Sequence, residues 1–99
     1  MIRHVVSWKL IEEDPAAREV AALEIKRRLG ELQRDIPQIL ALEVGINVAY
    51  PDSNWDVVLI ADYASLETLE EYQVHPAHKV FVDFVVPQVA KRANVDFEV

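Results

Sequence analysis

The chain has 99 residues, 52% hydrophobic and 27% charged, with 2 Gly, 5 Pro and no Cys. That length suits a single domain over residues 1–99, since a domain usually takes roughly 100–150 residues and no chain is left for a second core. Ten Lys and Arg against 17 Asp and Glu give a net charge of -7, which disfavours nucleic acid and anionic membrane as partners because both call for excess cation; the lack of Cys excludes disulfides, thiolate metal sites and a Cys nucleophile.

Residues 2–10 alternate in character. Ile2, His4, Val6, Trp8 and Leu10 share one face and Arg3, Val5, Ser7 and Lys9 the other, which predicts a strand whose first face is the core side. Asp14 before Pro15 marks a helix start, because Asp caps free amides and Pro suits the first helical position. Ala22, Ile25, Leu29, Leu32 and Ile36 then recur at spacings 3, 4, 3 and 4, one apolar stripe. Lys26, Arg27, Arg28 and Arg34 fall mostly off that stripe and read as a solvated face. Ile36-Pro37 ends the helix, since the residue before Pro avoids helical geometry. A second strand is predicted over residues 39–49, with Leu40, Leu42, Val44, Ile46 and Val48 on one face. Turn residues follow at Tyr50-Pro51-Asp52-Ser53-Asn54, and a third strand over residues 55–63, apolar on both faces in its middle. Ser65 is a candidate N-cap for a helix from Leu66 to about Gln73. Pro76 restarts a helix with Val80, Phe81, Phe84 and Val85 on its apolar side, and residues 92–98 finish as a strand.

The order β-α-β-β-α-β is that of the ferredoxin-like α+β fold, a four-stranded antiparallel sheet with the helices on one face. Val5, Ala41, Val58 and Ile60 then fall on the opposite face. An apolar patch there asks for a partner, and a homodimer through the sheet, a dimeric α+β barrel, is the expected cover. No apolar stretch approaches the ~20 residues that span a bilayer. The N-terminus lacks the apolar run of a signal peptide, so a cytoplasmic location is expected.

The chemistry concentrates in Tyr72-Gln73-Val74-His75-Pro76-Ala77-His78. A helix break at Pro76 can turn Tyr72 and His78 toward a common point. Imidazole moves protons near neutral pH, and a phenol can donate to a developing enolate oxygen. His4, on the inner strand face, can reach the same cavity. The same residues also fit plain structural roles: His75 as a turn or cap residue, His4 as a hydrogen-bonded core side chain, Tyr72 as packing. No metal site is expected. Pro76 interrupts helical placement of His75 and His78, and no carboxylate completes a ligand set. Glu67, Glu70 and Glu71 read as an exposed helix face.

Ile2-Arg3-His4-Val5-Val6, Ile36-Pro37 and the Tyr72–His78 segment together resemble the stress-responsive A/B barrel (Dabb) family, over nearly the whole chain. The resemblance implies a dimeric α+β barrel. It also implies, from one plant polyketide cyclase of the family, an intramolecular aldol condensation without metal or organic cofactor. Carried onto this chain, His78 becomes the general base and Tyr72 the donor to the substrate carbonyl, with His4 in the pocket. His4, Val6, Trp8 and His75 are the candidate binding residues for a small apolar or aromatic ligand. Trp8 would narrow the cavity, and Asp56 adds a carboxylate foreign to the plant pattern. Two other readings stand beside this one: a non-catalytic, stress-associated dimeric binding protein, and a cofactor-free monooxygenase of the wider barrel superfamily, to which Asn47, Trp8 and Trp55 would contribute.

Overall fold

A computed structural model describes residues 1–99. The first strand, β1, is Ile2–Leu10, and its alternating pattern is obeyed residue by residue: Ile2, His4, Val6, Trp8 and Leu10 are buried and the intervening side chains half-buried. Helix α1, Pro15–Asp35, begins where Asp14 accepts the Ala17 N–H at 3.0 Å. It ends at Ile36, which leaves helical geometry ahead of Pro37. Its predicted stripe is the buried one: Ala22, Ile25, Leu29 and Leu32 pack against the sheet, with Ile36 buried beyond the last turn. The charged side of α1 is not uniformly solvated. Arg28 is half-buried, with its guanidinium carbon 3.9 Å from the centre of the Phe84 ring, a cation–π contact that ties α1 to the third helix.

Strands β2, Ala41–Ile46, and β3, Val57–Tyr63, complete the hairpin. β2 is shorter than residues 39–49. Leu40 and Val48 are exposed rather than on the inner face. The chain leaves the sheet at Asn47 because a polar knot holds it there. Asn47 donates to the Ala49 carbonyl at 2.7 Å, and Asn54 donates to Asn47 Oδ1 at 3.1 Å and to Ala49 at 2.9 Å. Gly45 matters in this hairpin: a Cβ there would stand 3.0 Å from Val58 Cγ1. β3 likewise starts two residues later than residues 55–63 suggest, at Val57.

Helix α2, Leu66–Val74, opens with a capping box between Ser65 and Thr68, and α3, Pro76–Val85, follows. The break is a single residue, tighter than the gap between a helix ending at about Gln73 and one restarting at Pro76. Gln73 and Val74 stay helical, and only His75 is extended, at φ -63 and ψ 136. Pro76 drives it there, having no N–H to offer α2 and a ring that bars helical geometry to its predecessor. A 3-10 turn, Val86–Gln88, leads into β4, Val89–Glu98, which is three residues longer at its start than the predicted strand. It pairs with β1 along almost its whole length, with one register shift at Lys9/Leu10.

The sheet order is β2-β3-β1-β4, every neighbour antiparallel, with the helices over one face. The core lies between that face and the helices and runs from Ile2 to Val85. β4 is different. Its residues facing the helix side, Arg92, Asn94, Asp96 and Glu98, oppose Trp8, Val6, His4 and Ile2. All four are polar and exposed, because the helices do not extend over this edge strand.

Candidate functional site

Between α2, α3 and the inner faces of β1 and β4 lies a cavity of about 410 Å³, large enough for a small organic ligand. Its floor is His4, Val6 and Trp8 from β1; its roof includes Tyr72, His78 and Phe81. The helix break brings the last two elements together: Tyr72 sits in the last turn of α2 and His78 in the first turn of α3. Their ring centres are 4.4 Å apart.

His78 is half-buried, and its Nδ1 lies 3.1 Å from the Gln73 carbonyl. A carbonyl only accepts, so Nδ1 carries the proton and Nε2 keeps its lone pair in the neutral ring. Burial pulls the His78 pKa below its ordinary value, the charges of His4, Arg92 and His75 act in the same direction, and the Gln73 hydrogen bond opposes them. His78 is therefore a neutral imidazole at pH 7 with a fixed tautomer. Burial pushes the Tyr72 hydroxyl up to about 12, so it is a proton-bearing donor under all ordinary conditions.

Behind this pair stands Tyr63, its ring 5.1 Å from that of Tyr72, its hydroxyl buried without a hydrogen-bond partner and pushed well above the usual phenol range, mainly by burial. His4 packs edge-on to both tyrosines, at 6.1 Å from Tyr72 and 6.2 Å from Tyr63. Its Nδ1 bonds the carboxylate of Asp96, the residue opposite it on β4. That contact fixes the ring orientation, since a carboxylate accepts and Nδ1 must donate.

The sequence-predicted residues thus divide. Tyr72, His78, His4, Val6 and Trp8 line one cavity. His75 does not. Its Nδ1 accepts the Ala77 N–H at 3.1 Å, so its ring caps α3, and it is not among the residues that line the cavity. The extended backbone that Pro76 imposes on His75 puts it in N-cap position, the structural role its sequence context also allowed. Asp56 is likewise outside. It is buried, accepts the Leu10 N–H at 2.8 Å, and has Lys9 at 3.6 Å and Arg18 at 3.8 Å. Asn47 and Trp55 lie in other surface clefts, away from Trp8. The sequence reading missed Asp96, Tyr63 and Arg92. The signal for Asp96 and Arg92 is the alternation of polar residues from Arg92 to Glu98, which puts both on one face of the last strand.

A four-stranded antiparallel sheet with its helices on one face, two of them meeting at a one-residue break beside Tyr72 and His78, is a ferredoxin-like α+β fold. The chain belongs to the stress responsive A/B barrel domain (Dabb) family, whose model matches residues 2–99. Among solved structures it is similar to a dimeric protein of unknown function and ferredoxin-like fold from Bacteroides fragilis, with a TM-score of 0.86, 26% identity, and coverage of 99% of this chain and 95% of that one. A Dabb family protein of ferredoxin-like fold from Mesorhizobium loti is also similar, with a TM-score of 0.77, 23% identity, and coverage of 99% and 95%. A hydroxynitrile lyase from Passiflora edulis shares the fold at 13% identity, with a TM-score of 0.79 and coverage of 99% and 92%. No curated protein sequence matches the chain. No helix is long and apolar enough to cross a membrane.

Proposed function

We propose that this protein is a homodimeric, cofactor-independent enzyme of the cyclase or lyase type that binds a small apolar or aromatic carbonyl compound and moves a proton on it. The observation that carries this reading is the pairing of a neutral His78, its Nδ1 fixed as donor, with a protonated Tyr72 hydroxyl in one cavity. His78 Nε2 takes a proton from the carbon next to a carbonyl. Tyr72 donates a hydrogen bond to the carbonyl oxygen as it gains enolate charge. The carbanion then attacks a second carbonyl of the same molecule, and the imidazolium returns its proton to the new alkoxide. The resemblance of the Tyr72–His78 segment to that of olivetolic acid cyclase favours an aldol closure of a poly-β-keto chain. A lyase uses the same two groups in reverse.

The test is turnover of poly-β-keto thioesters, with no metal added, by wild type, His78→Ala and Tyr72→Phe. His78→Ala should lower kcat by about 10²–10⁴-fold, as the loss of a general base does. Tyr72→Phe should lower it by about 10²–10³-fold, as the loss of one oxyanion donor does. Wild-type activity that survives both substitutions would overturn the assignment, and a wild type inert toward the whole panel, yet binding its members, would leave a non-catalytic binding protein. The monooxygenase reading would draw on Asn47, Trp8 and Trp55, but Asn47 and Trp55 share a cleft that Trp8 does not line.

Homodimerisation rests on the face of the sheet away from the helices. Val5, Val58 and Ile60 form its centre, and Val95 and Phe97 on β4 are 61% and 44% exposed. The one strong ion pair on that face, Arg3 with Asp62 at 2.9 and 3.1 Å, is internally neutral. Such a face suits a second copy of itself.

A further inference from the structure

The cavity wall carries a charge pattern opposite to that of the chain. The protein has 17 Asp and Glu against 10 Lys and Arg, yet no carboxylate lines the cavity, while Lys91 and Arg92 both do. Arg92 is the better placed of the two. It opposes Trp8 in the β1–β4 register, so it stands on the helix-side face with the other cavity residues. Its guanidinium donates to Asn94 Oδ1 at 3.2 Å and has no carboxylate within 4.0 Å. Among the other arginines, Arg3, Arg18, Arg27 and Arg28 are each paired with an Asp or Glu, and Arg34, unpaired like Arg92, does not line the cavity. The positive charge of Arg92 is felt at both reacting groups, since it pulls down the Tyr72 and His78 pKa values alike. The rest of the lining is mostly apolar, with Val6, Trp8, Phe81 and Val85 inside.

We infer that the cavity takes an apolar molecule bearing a carboxylate, with the carboxylate on Arg92 at the mouth and the apolar body over Trp8 and Phe81. An exposed guanidinium with donors free is a fork shaped for two carboxylate oxygens. A hydrocarbon or aromatic body has no other cationic anchor on the helix-side face of the strands. This rests on the proposed reaction for its meaning, because a carboxylate held at Arg92 lets the ligand lie across the His78–Tyr72 pair. As a binding claim it is measured separately from turnover.

The probes are decanoate and decanol, matched in chain length and differing in charge, titrated by calorimetry at pH 8 and submicellar concentration into wild type, Arg92→Gln, Arg92→Lys and His78→Ala. Wild type should bind decanoate about 10-fold more tightly than decanol, the gain expected of a hydrogen bond to a charged group. Arg92→Gln should bring the two within about 2-fold of each other, and Arg92→Lys, which keeps the charge and loses the fork, should keep only part of the preference. The preference is a ratio measured within one folded protein, so a general loss of stability in a variant leaves it readable. His78→Ala should keep the preference while losing turnover. If decanoate is not preferred by wild type, if neither probe binds, or if Arg92→Gln retains the preference and Lys91 must be supplying it, the inference is wrong and the acid–base reading stands or falls on its own assay. If the preference follows Arg92 but no substrate is turned over, the inference holds and the catalytic reading falls.

Discussion

The His78 Nδ1–H is engaged by the Gln73 carbonyl, so a pH profile of activity reads the state of Nε2. Burial lowers the folded pKa of this ring below 6.5. In the proposed reaction the base form is the active one, so kcat should be flat through pH 7 and fall on an acid limb whose apparent pKa lies below 6.5. A limb at or above 6.5 would mean that the ring is solvated or that another group is the base. The same shift has a stability consequence. The unfolded chain takes up this proton more readily than the folded one, so the contribution of His78 to stability is complete above pH 6.5 and is lost as the pH falls through the folded value. Denaturant midpoints of wild type should therefore drop more over that interval than those of His78→Ala. Asp96 offers a second check. Its carboxylate is the partner of a histidine that is almost entirely buried. Asp96→Ala leaves the His4 Nδ1–H unpaired and should cost about 1–3 kcal/mol, read as a shift of the urea midpoint at unchanged slope. Tyr72 and His78 were legible in the sequence because the signal is local: six residues and one proline determine how the two side chains meet. Asp96 was not, because its partner is at the other end of the chain, and only strand pairing says which His it faces.

Elements were legible where periodicity met a local stop. β1 and α1 are such cases: alternation with no exception, and a stripe bounded by Asp14-Pro15 and Ile36-Pro37. β2 and β4 were not, and for different reasons. The apolar run of β2 continues past Ile46 to Val48, but the Asn47–Ala49–Asn54 hydrogen bonds pull the backbone into the loop, and no periodicity argument counts those bonds. In β4 the alternation is clean but its sense is ambiguous. Ala93, Val95 and Phe97 look like an inward face. Antiparallel pairing with β1 turns them to the outside and puts Arg92, Asn94 and Asp96 on the cavity side. Asp56 shows how a residue that seems free for chemistry is consumed in joining elements. It accepts the buried Leu10 N–H at the end of β1 and lies between Lys9 of that strand and Arg18 of α1. Asp56→Ala strips a backbone donor of its partner at a buried position, and it should cost about 1–3 kcal/mol, whereas Asp56→Asn, which can still accept, should cost less. Thermal melts of the two variants decide it. Equal losses would mean that the flanking cations, not the Leu10 amide, set the value of this carboxylate.

At the scale of the whole molecule the open question is what covers the outer face of the sheet. The helices use one face only, and the other carries Val5, Val58, Ile60, Val95 and Phe97 around the neutralised Arg3–Asp62 pair. An obligate dimer closed through such a surface buries on the order of 2,000 Å². The chain carries a net charge of -7, so in the proposed dimer two copies repel at a distance and only contact across the apolar centre would hold them. That balance has a signature. Added salt screens the repulsion and leaves the apolar contact intact, so the dimer should tighten as NaCl rises, opposite to the behaviour of an interface built on ion pairs. Light scattering should give a dimer at micromolar concentration, and the urea midpoint should rise with protein concentration, because the partner binds the folded chain alone. Ile60 opposes Val5 and Glu43 in the sheet, and Val58 opposes Ser7 and Gly45; both side chains point away from the helices. Ile60→Asp and Val58→Asp each place an unpaired carboxylate in the interface without touching the core, and each should raise the dissociation constant by at least 100-fold, in line with the cost of a charge buried without a partner. The far-UV spectrum should survive, since the hydrogen bonds of the sheet lie within one copy. A wild type that remains monomeric at millimolar concentration, or two Asp variants that stay dimeric with unchanged midpoints, would show that the outer face is not where copies meet.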